Sequence, residues 1–204
     1  NLVMKMSEIT YSFSRLKLFN ECKHAYYLTY VLKVQKRVNI YSEIGTTIHE
    51  LLEDIQGGKE IAPEERVEIF EDKVDECKIF GIEFVNEKIE EKYIENIIHC
   101  LMNFEPLKGK NFEIEKEIEL EVDGHRLTGF IDLIVHNDDG TVSVIDFKTS
   151  SKYAKKDLSK NANQLIIYGL ALEQLGYKVR DVKWMMLKYC QVQGKRGSKM
   201  IERR

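Results

Sequence analysis

Apolar residues recur every three or four positions from Ser12 to Phe104, and from Asn111 onward they alternate with polar ones, so a helical half precedes a stranded one. The spacing predicts a helix from Ser12 to Leu32, with Ser12 or Ser14 as its cap and Leu16, Phe19, Tyr26, Tyr27 and Tyr30 as its apolar and aromatic surface. A second helix is predicted from about Ser42 to Gln56: Ile44, Ile48, Leu51, Leu52 and Ile55 share a face, and Gly57-Gly58 ends it. Its polar side carries His49, Glu50 and Glu53. Pro63 opens a stretch to about Phe80, and another runs from Val85 to Phe104. Both are dense in Glu and Lys and read as a solvated helical insertion over about residues 59–106.

Beyond Asn111, Ile114, Ile118, Leu120 and Val122 alternate with Glu113, Glu115, Glu117, Glu119 and Glu121, the period of a strand with one wet face. Asp123-Gly124 is a hairpin signal, Arg126 to His136 reads as a second strand, and Asn137-Asp138-Asp139-Gly140 turns into a third from Thr141 to Lys148. The three make an antiparallel meander. A helix from about Lys160 to Leu175 and a strand from Asp181 to Tyr189 complete a mixed α/β sandwich, a single domain over residues 1–204. The chain stops just after a predicted strand, at Ile201-Glu202-Arg203-Arg204, and a further segment is expected beyond it.

Composition narrows the function. Thirty-one basic residues against 34 acidic ones give a net charge of -3, so affinity for nucleic acid has to come from a local patch. No apolar run approaches the roughly 20 residues that span a bilayer, the start lacks a secretory signal, and the expected compartment is the cytoplasm. Cys22, Cys77, Cys100 and Cys190 are scattered without a CxxC pair, as in a reducing compartment. No Gly-rich phosphate loop is present, so neither a bound nucleotide nor ATP hydrolysis is expected, and any motor would be a partner protein.

Asp146 and Lys148 stand two apart on a strand and leave the same face, in line with Val142 and Val144. Alone, such a pair is most often a salt bridge at a sheet edge. Asp132 changes the reading, because it interrupts the apolar run Phe130, Ile131, Leu133, Ile134, Val135, where a charge needs a partner. The hairpin brings Asp132 beside the third strand, and two adjacent carboxylates repel unless a cation or a shared proton intervenes. A hard divalent ion such as Mg²⁺ suits them. His49 on its amphipathic helix is either a solvated histidine or a ligand, and Gly45 one turn earlier leaves room for that helix to approach the sheet closely.

Four ordered elements, Gly45-x-x-x-His49, Gly129-x-x-Asp132, Asp146-x-Lys148-Thr149 and Gln164-x-x-x-Tyr168, resemble the RecB-type, phage-exonuclease-like branch of the PD-(D/E)XK nucleases. The Ser-x-Ser start and Cys-x-x-x-Tyr turn between Ser12 and Tyr30 are similar to that group's opening helix, and the resemblance extends to about Tyr189. It implies a restriction-endonuclease-like mixed sheet and a Mg²⁺- or Mn²⁺-dependent deoxyribonuclease. Asp132, Asp146, His49 and the Phe147 carbonyl would hold the metal, Lys148 would act on water or phosphate, and Gln164 and Tyr168 would shape the substrate side. An exonuclease of repair, recombination or phage replication is implied, with a helicase or recombination protein as partner and ring-forming oligomers among relatives.

Lys148, Lys152, Lys155, Lys156 and Lys160 form the one local basic concentration, either a solvated surface or a holder of phosphates whatever the DNA sequence. Glu117 reads as a solvated ladder residue with a supporting role as the alternative, and Glu50 and Glu53 are similar secondary candidates near His49. Two rivals differ in testable ways. A catalytically silent DNA-end binding module on the same fold is disfavoured by the intact Asp, Asp and Lys. An iron-sulfur relative is disfavoured because Gln193 follows Cys190 where a CxxC partner would stand, although Cys22 fits a first ligand position.

Overall fold

The computed structural model describes residues 10–34, 37–107, 111–150, 153 and 158–187 and the backbone of 201–203. In chain order its elements are β1 (Thr10–Ser12), α1 (Phe13–Glu21), α2 (Lys23–Tyr26) with a π turn (Tyr27–Val31), α3 (Ile40–Gln56), α4 (Pro63–Ile79), α5 (Glu87–Asn103), β2 (Asn111–Val122), β3 (His125–His136), β4 (Val142–Lys148), α6 (Leu158–Gln174), β5 (Val179–Met186) and β6 (Ile201–Arg203). Where one helix is expected from Ser12 to Leu32, Ser12 caps it as expected, its hydroxyl accepting the Arg15 N–H, but the chain breaks once, at Cys22. Thr10–Ser12 pairs with β3, and Cys22 turns extended (φ -157°) while its sulfur accepts the Ala25 N–H and starts a new turn.

The strands form one mixed sheet. β2, β3 and β4 are the antiparallel meander, and α6 crosses over so that β5 runs parallel to β4. Alternation sorts the side chains: Ile145, Phe147 and Met185 face a core shared with α3, α4 and α5, whereas Val144, Trp184 and Met186 face α6. The arrangement is the expected α/β, restriction-endonuclease-like one.

Helices α4 and α5, expected to be solvated, are so only on their charged faces. Phe70, Val74 and Cys77 from one and Tyr93, Ile97, Cys100 and Leu101 from the other are buried against α3, each large apolar side chain contributing about 1.5–3 kcal/mol by leaving water. Arg66 ties the pair together by donating to the carbonyls of Ile61, Leu101 and Phe104.

The meander departs from simple alternation at one level. Ile114 packs on the α3 side but Ile118 and Leu120 pack on the α6 side, and in β3 Leu133 and Ile131 divide the same way. Both strands therefore change face between these residues. The switch lies at Glu115, which has a left-handed φ of 48°, and at Asp132, its partner by register. Every other residue of β3 pairs with β2; Asp132 alone does not. On the opposite edge, β3 pairs with β1 through Arg126–Thr128 and with β4 from Leu133 onward, so residues 129–132 lie in a notch roughly 15 Å long between the two neighbours.

Candidate active site

Asp132 sits at the closed end of this notch. Its register partner on β4 is Asp146, one step beyond the last ladder pair, Leu133 with Ile145. Because the strands part there, the Phe147 N–H has no β3 carbonyl to meet and donates instead to Asp132 Oδ2 at 2.7 Å. From the α3 side, His49 brings Nδ1 to 3.5 Å from the same oxygen, its ring edge-on to Phe147. One turn further, Glu53 completes a group in which one donor atom each of His49, Glu53 and Asp132 lies within 4.8 Å of the others. Gly45 is not what permits this approach: a Cβ there would meet only Thr149 Oγ1, at an ordinary 3.6 Å.

On the α6 side, Asp146 is 1% exposed and its Oδ2 is 2.6 Å from Lys148 Nζ. Lys148 also donates to Gln164 Oε1 at 3.4 Å, and Gln164 Nε2 donates to the Tyr168 hydroxyl at 2.8 Å. Gly129 seats the end of that chain, since a Cβ there would stand 3.1 Å from Tyr168 Cε1. With His49 on Asp132, all four sequence elements thus meet. Thr149, next after Lys148, reaches the Tyr93 hydroxyl, so α5 braces the end of the same strand.

The electrostatics follow from burial and from an excess of carboxylates. Burial raises Asp132, although the Phe147 N–H and Lys148 pull it down, and burial raises Asp146 to about 6 against the opposing charge of Lys148. Burial also works against the ammonium of Lys148, but Asp146 wins and holds its pKa above the usual value. His49 is lowered, by burial and by Lys148, which keeps its imidazole neutral and able to act as a ligand at pH 7. Glu53 is raised to about 8: it is only 9% exposed, and the charges that act on it, Glu115, Asp132, Glu50 and Asp54, are all negative.

This donor set fits a hard divalent cation. Ligands about 2.1 Å from such an ion stand roughly 3–4 Å apart, close to the spacing here, and a cation would relieve the mutual repulsion of Glu53, Asp132 and Glu115. Glu53, weighed only as a secondary candidate, belongs to this group. Asp146 does not; it is held by Lys148. Glu115 carries no signal in the sequence, because in a regular strand it is one of five equivalent glutamates. The left-handed turn instead sets it opposite Asp132, where its charge acts on His49, Glu53 and Asp132. Glu113 leaves the wet face too: it accepts from the Tyr177 hydroxyl and pairs with His136 and Lys116. Glu117 is exposed, and Glu50 lines a cleft with Glu53, Asp54 and Glu115. Lys152, Lys155, Lys156 and Cys190 lie outside the described residues, as does the side chain of Lys160. Cys22 is exposed, and Cys77 and Cys100 are buried in the helical core.

The model of the PD-(D/E)XK nuclease superfamily matches residues 10–203, and the chain belongs to that superfamily. No curated protein matches it. Among the described residues no helix is long and apolar enough to cross a membrane.

Two substitutions probe the two sides of the site. His49→Ala removes one nitrogen ligand from a partly exposed position, so Mn²⁺ affinity should fall about tenfold or more with stability changed by about 1 kcal/mol or less. Calorimetric titration beside thermal melting checks this, and unchanged affinity would leave His49 a mere neighbour of Asp132. Gly129→Ala should push the Tyr168 ring, and through Gln164 the Lys148 ammonium, at a cost of about 1–3 kcal/mol in stability. Turnover should drop more than substrate affinity; a kcat equal to wild type would show that the chain from Tyr168 to Lys148 positions nothing.

Proposed function

We propose that this chain is a Mg²⁺- or Mn²⁺-dependent deoxyribonuclease of the RecB-type branch, hydrolysing DNA phosphodiester bonds from ends without regard to sequence, in repair, recombination or phage replication. The observation that carries the reading is the meeting of His49, Glu53 and Asp132 at the notch, with the Lys148–Asp146 pair beside them. A divalent ion bound there would supply a water of lowered pKa and offset the phosphate's charge. His49, Glu53 and Asp132 would hold it, with Asp146 and the Phe147 carbonyl joining once Lys148 turns toward the substrate. Lys148, kept protonated by Asp146, would donate to the phosphate oxygens as negative charge builds on them. Gln164 and Tyr168 would keep the ammonium aimed at the notch. The basic run Lys152, Lys155 and Lys156 would follow the DNA backbone, with a helicase or recombination protein as partner.

Incubation with linear and covalently closed circular DNA in Mn²⁺, with a chelator control, tests the proposal. Loss of the linear form alone is the expected result. Cutting of the circle would make the enzyme an endonuclease, and DNA-end binding with no divalent-dependent cleavage would make it a silent scaffold.

A further inference from the structure

Strand β4 carries Lys148 at its open end. Among the described residues the ladder with β3 stops at Leu133 with Ile145, so residues 146–148 are held by β5 on one side and on the other by the bond from the Phe147 N–H to Asp132. The pairing with β5 also stops at Lys148. A flexible stem on a strand end would let the ammonium wander, and side-chain contacts have to hold it. On the α6 side these are Asp146 and Gln164. The next residue is fixed from the opposite face. Alternation turns Thr149 toward the core that takes Phe147, where a Cβ on Gly45 of α3 would meet its hydroxyl at 3.6 Å and where the Tyr93 side chain of α5 is hydrogen-bonded to it. Tyr93 is 3% exposed, and its ring packs on Tyr41 of α3 at 5.4 Å and on Phe84 at 5.5 Å.

From this arrangement we infer that Tyr93 is a positioning residue for Lys148: its bond to Thr149 anchors the open end of β4, so that the ammonium stays aimed at the phosphate of the bound substrate. The inference rests on the nuclease reading of the site. Tyr93 acts through the backbone that joins Thr149 to Lys148, not on the substrate. A phenylalanine would fill the same cluster of rings without burying a hydroxyl, whose burial is unfavourable unless a partner meets it. The phenol suits an anchor. Packing of ring on ring leaves it little freedom to follow a moving strand, and burial pushes its pKa up to about 12, so the hydroxyl keeps its proton at neutral pH. Helices α4 and α5 thereby take a part in catalysis. Through Tyr93 they hold the strand that bears the lysine, while Gln164 and Tyr168 hold the ammonium from α6.

The test compares Tyr93→Phe, Thr149→Val and the double variant with the wild type, all as the full chain. In each variant, kcat for digestion of linear DNA in Mn²⁺ should fall about tenfold with KM and Mn²⁺ affinity unchanged, and the double variant should lose no more than either single one. Thr149→Ser, which keeps the hydroxyl, should retain wild-type turnover. Phe84→Leu loosens the same rings without removing the bond, so it should lower the melting temperature and leave kcat alone. A second readout needs no nuclease activity. Acetic anhydride labelling of Lys148 in the metal-free chain, followed by mass spectrometry, should quicken severalfold in Tyr93→Phe and stay unchanged in Phe84→Leu. Wild-type kcat or unchanged labelling in Tyr93→Phe, additive losses in the double variant, or an equal loss of kcat in Phe84→Leu would overturn the inference. A wild type that digests no DNA removes the nuclease reading by itself. The labelling then decides alone: faster labelling in Tyr93→Phe keeps Tyr93 as the anchor of Lys148, and an unchanged rate removes it.

Discussion

Asp132→Asn should lose Mn²⁺ binding and cleavage together, whereas Lys148→Ala should keep the metal and lose at least about 10²-fold in turnover. The difference follows from where each side chain points. Asp132 Oδ2 faces His49 and takes the Phe147 N–H, so an amide there is a poor ligand for a hard cation and turns an N–H toward another donor. Lys148 touches Asp146 and Gln164 and none of the His49, Glu53 and Asp132 group. Its removal leaves the buried Asp146 carboxylate without a partner, so the metal-free variant should also melt earlier. Mn²⁺ should then raise its melting temperature more than it raises that of the wild type if Asp146 joins the ion. Mn²⁺ calorimetry, melting curves and a nuclease assay on both variants give the three readouts. Normal cleavage by Lys148→Ala would end the role assigned to the lysine, and an equal Mn²⁺ shift in variant and wild type would take Asp146 out of the metal site.

Glu53 should make the metal-free protein less stable as pH rises. Its pKa is about 8 in the folded chain against an ordinary 4.5, so the folded state holds the proton more tightly and the unfolded state loses it first. Stability is therefore highest below about pH 4.5 and falls through the interval up to about 8, by a few kcal/mol at most at roughly 1.4 kcal/mol per pH unit. Asp146, raised to about 6, contributes in the same direction over the lower part of that range. Glu53→Gln should thus flatten the melting temperature between about pH 6 and 8 and reduce the slope between about pH 4.5 and 6 to the part that Asp146 supplies. In the wild type, Mn²⁺ bound at this group would take the place of the Glu53 proton and should stabilise far more at pH 8 than at pH 5.5, with a proton released on binding. The same pH slope in Glu53→Gln as in the wild type would show that the carboxyl is not held protonated by its acidic neighbours.

The helices and the meander were legible because their periods are local. α3 begins within two residues of its expected start and ends at the expected Gln56, and α4 begins at Pro63, since a cap, a Gly pair and a proline act on their immediate neighbours. The first helix was not legible as two, because the extended turn at Cys22 leaves no mark on the apolar spacing around it. The packing of α4 and α5 was half legible. Their Glu and Lys residues dominate the composition, while one narrow face of each supplies the core.

The sequence by itself determined the order of the elements, the antiparallel meander, the common face of Asp146 and Lys148, and the candidacy of Asp132 as a charge inside an apolar run. Each of these depends on residues a few positions apart, where backbone geometry leaves one arrangement. The tertiary structure alone decided which acids gather. The break in pairing at Glu115 and Asp132 switches the face of two strands and sets Glu115 opposite Asp132, against the alternation that made it equivalent to Glu117. The packing of α3 on the sheet adds Glu53 to His49 and Asp132, while Asp146, opposite Asp132, pairs with Lys148. Such outcomes depend on contacts between residues some 60 to 80 positions apart and on one backbone angle, and local period carries information about neither.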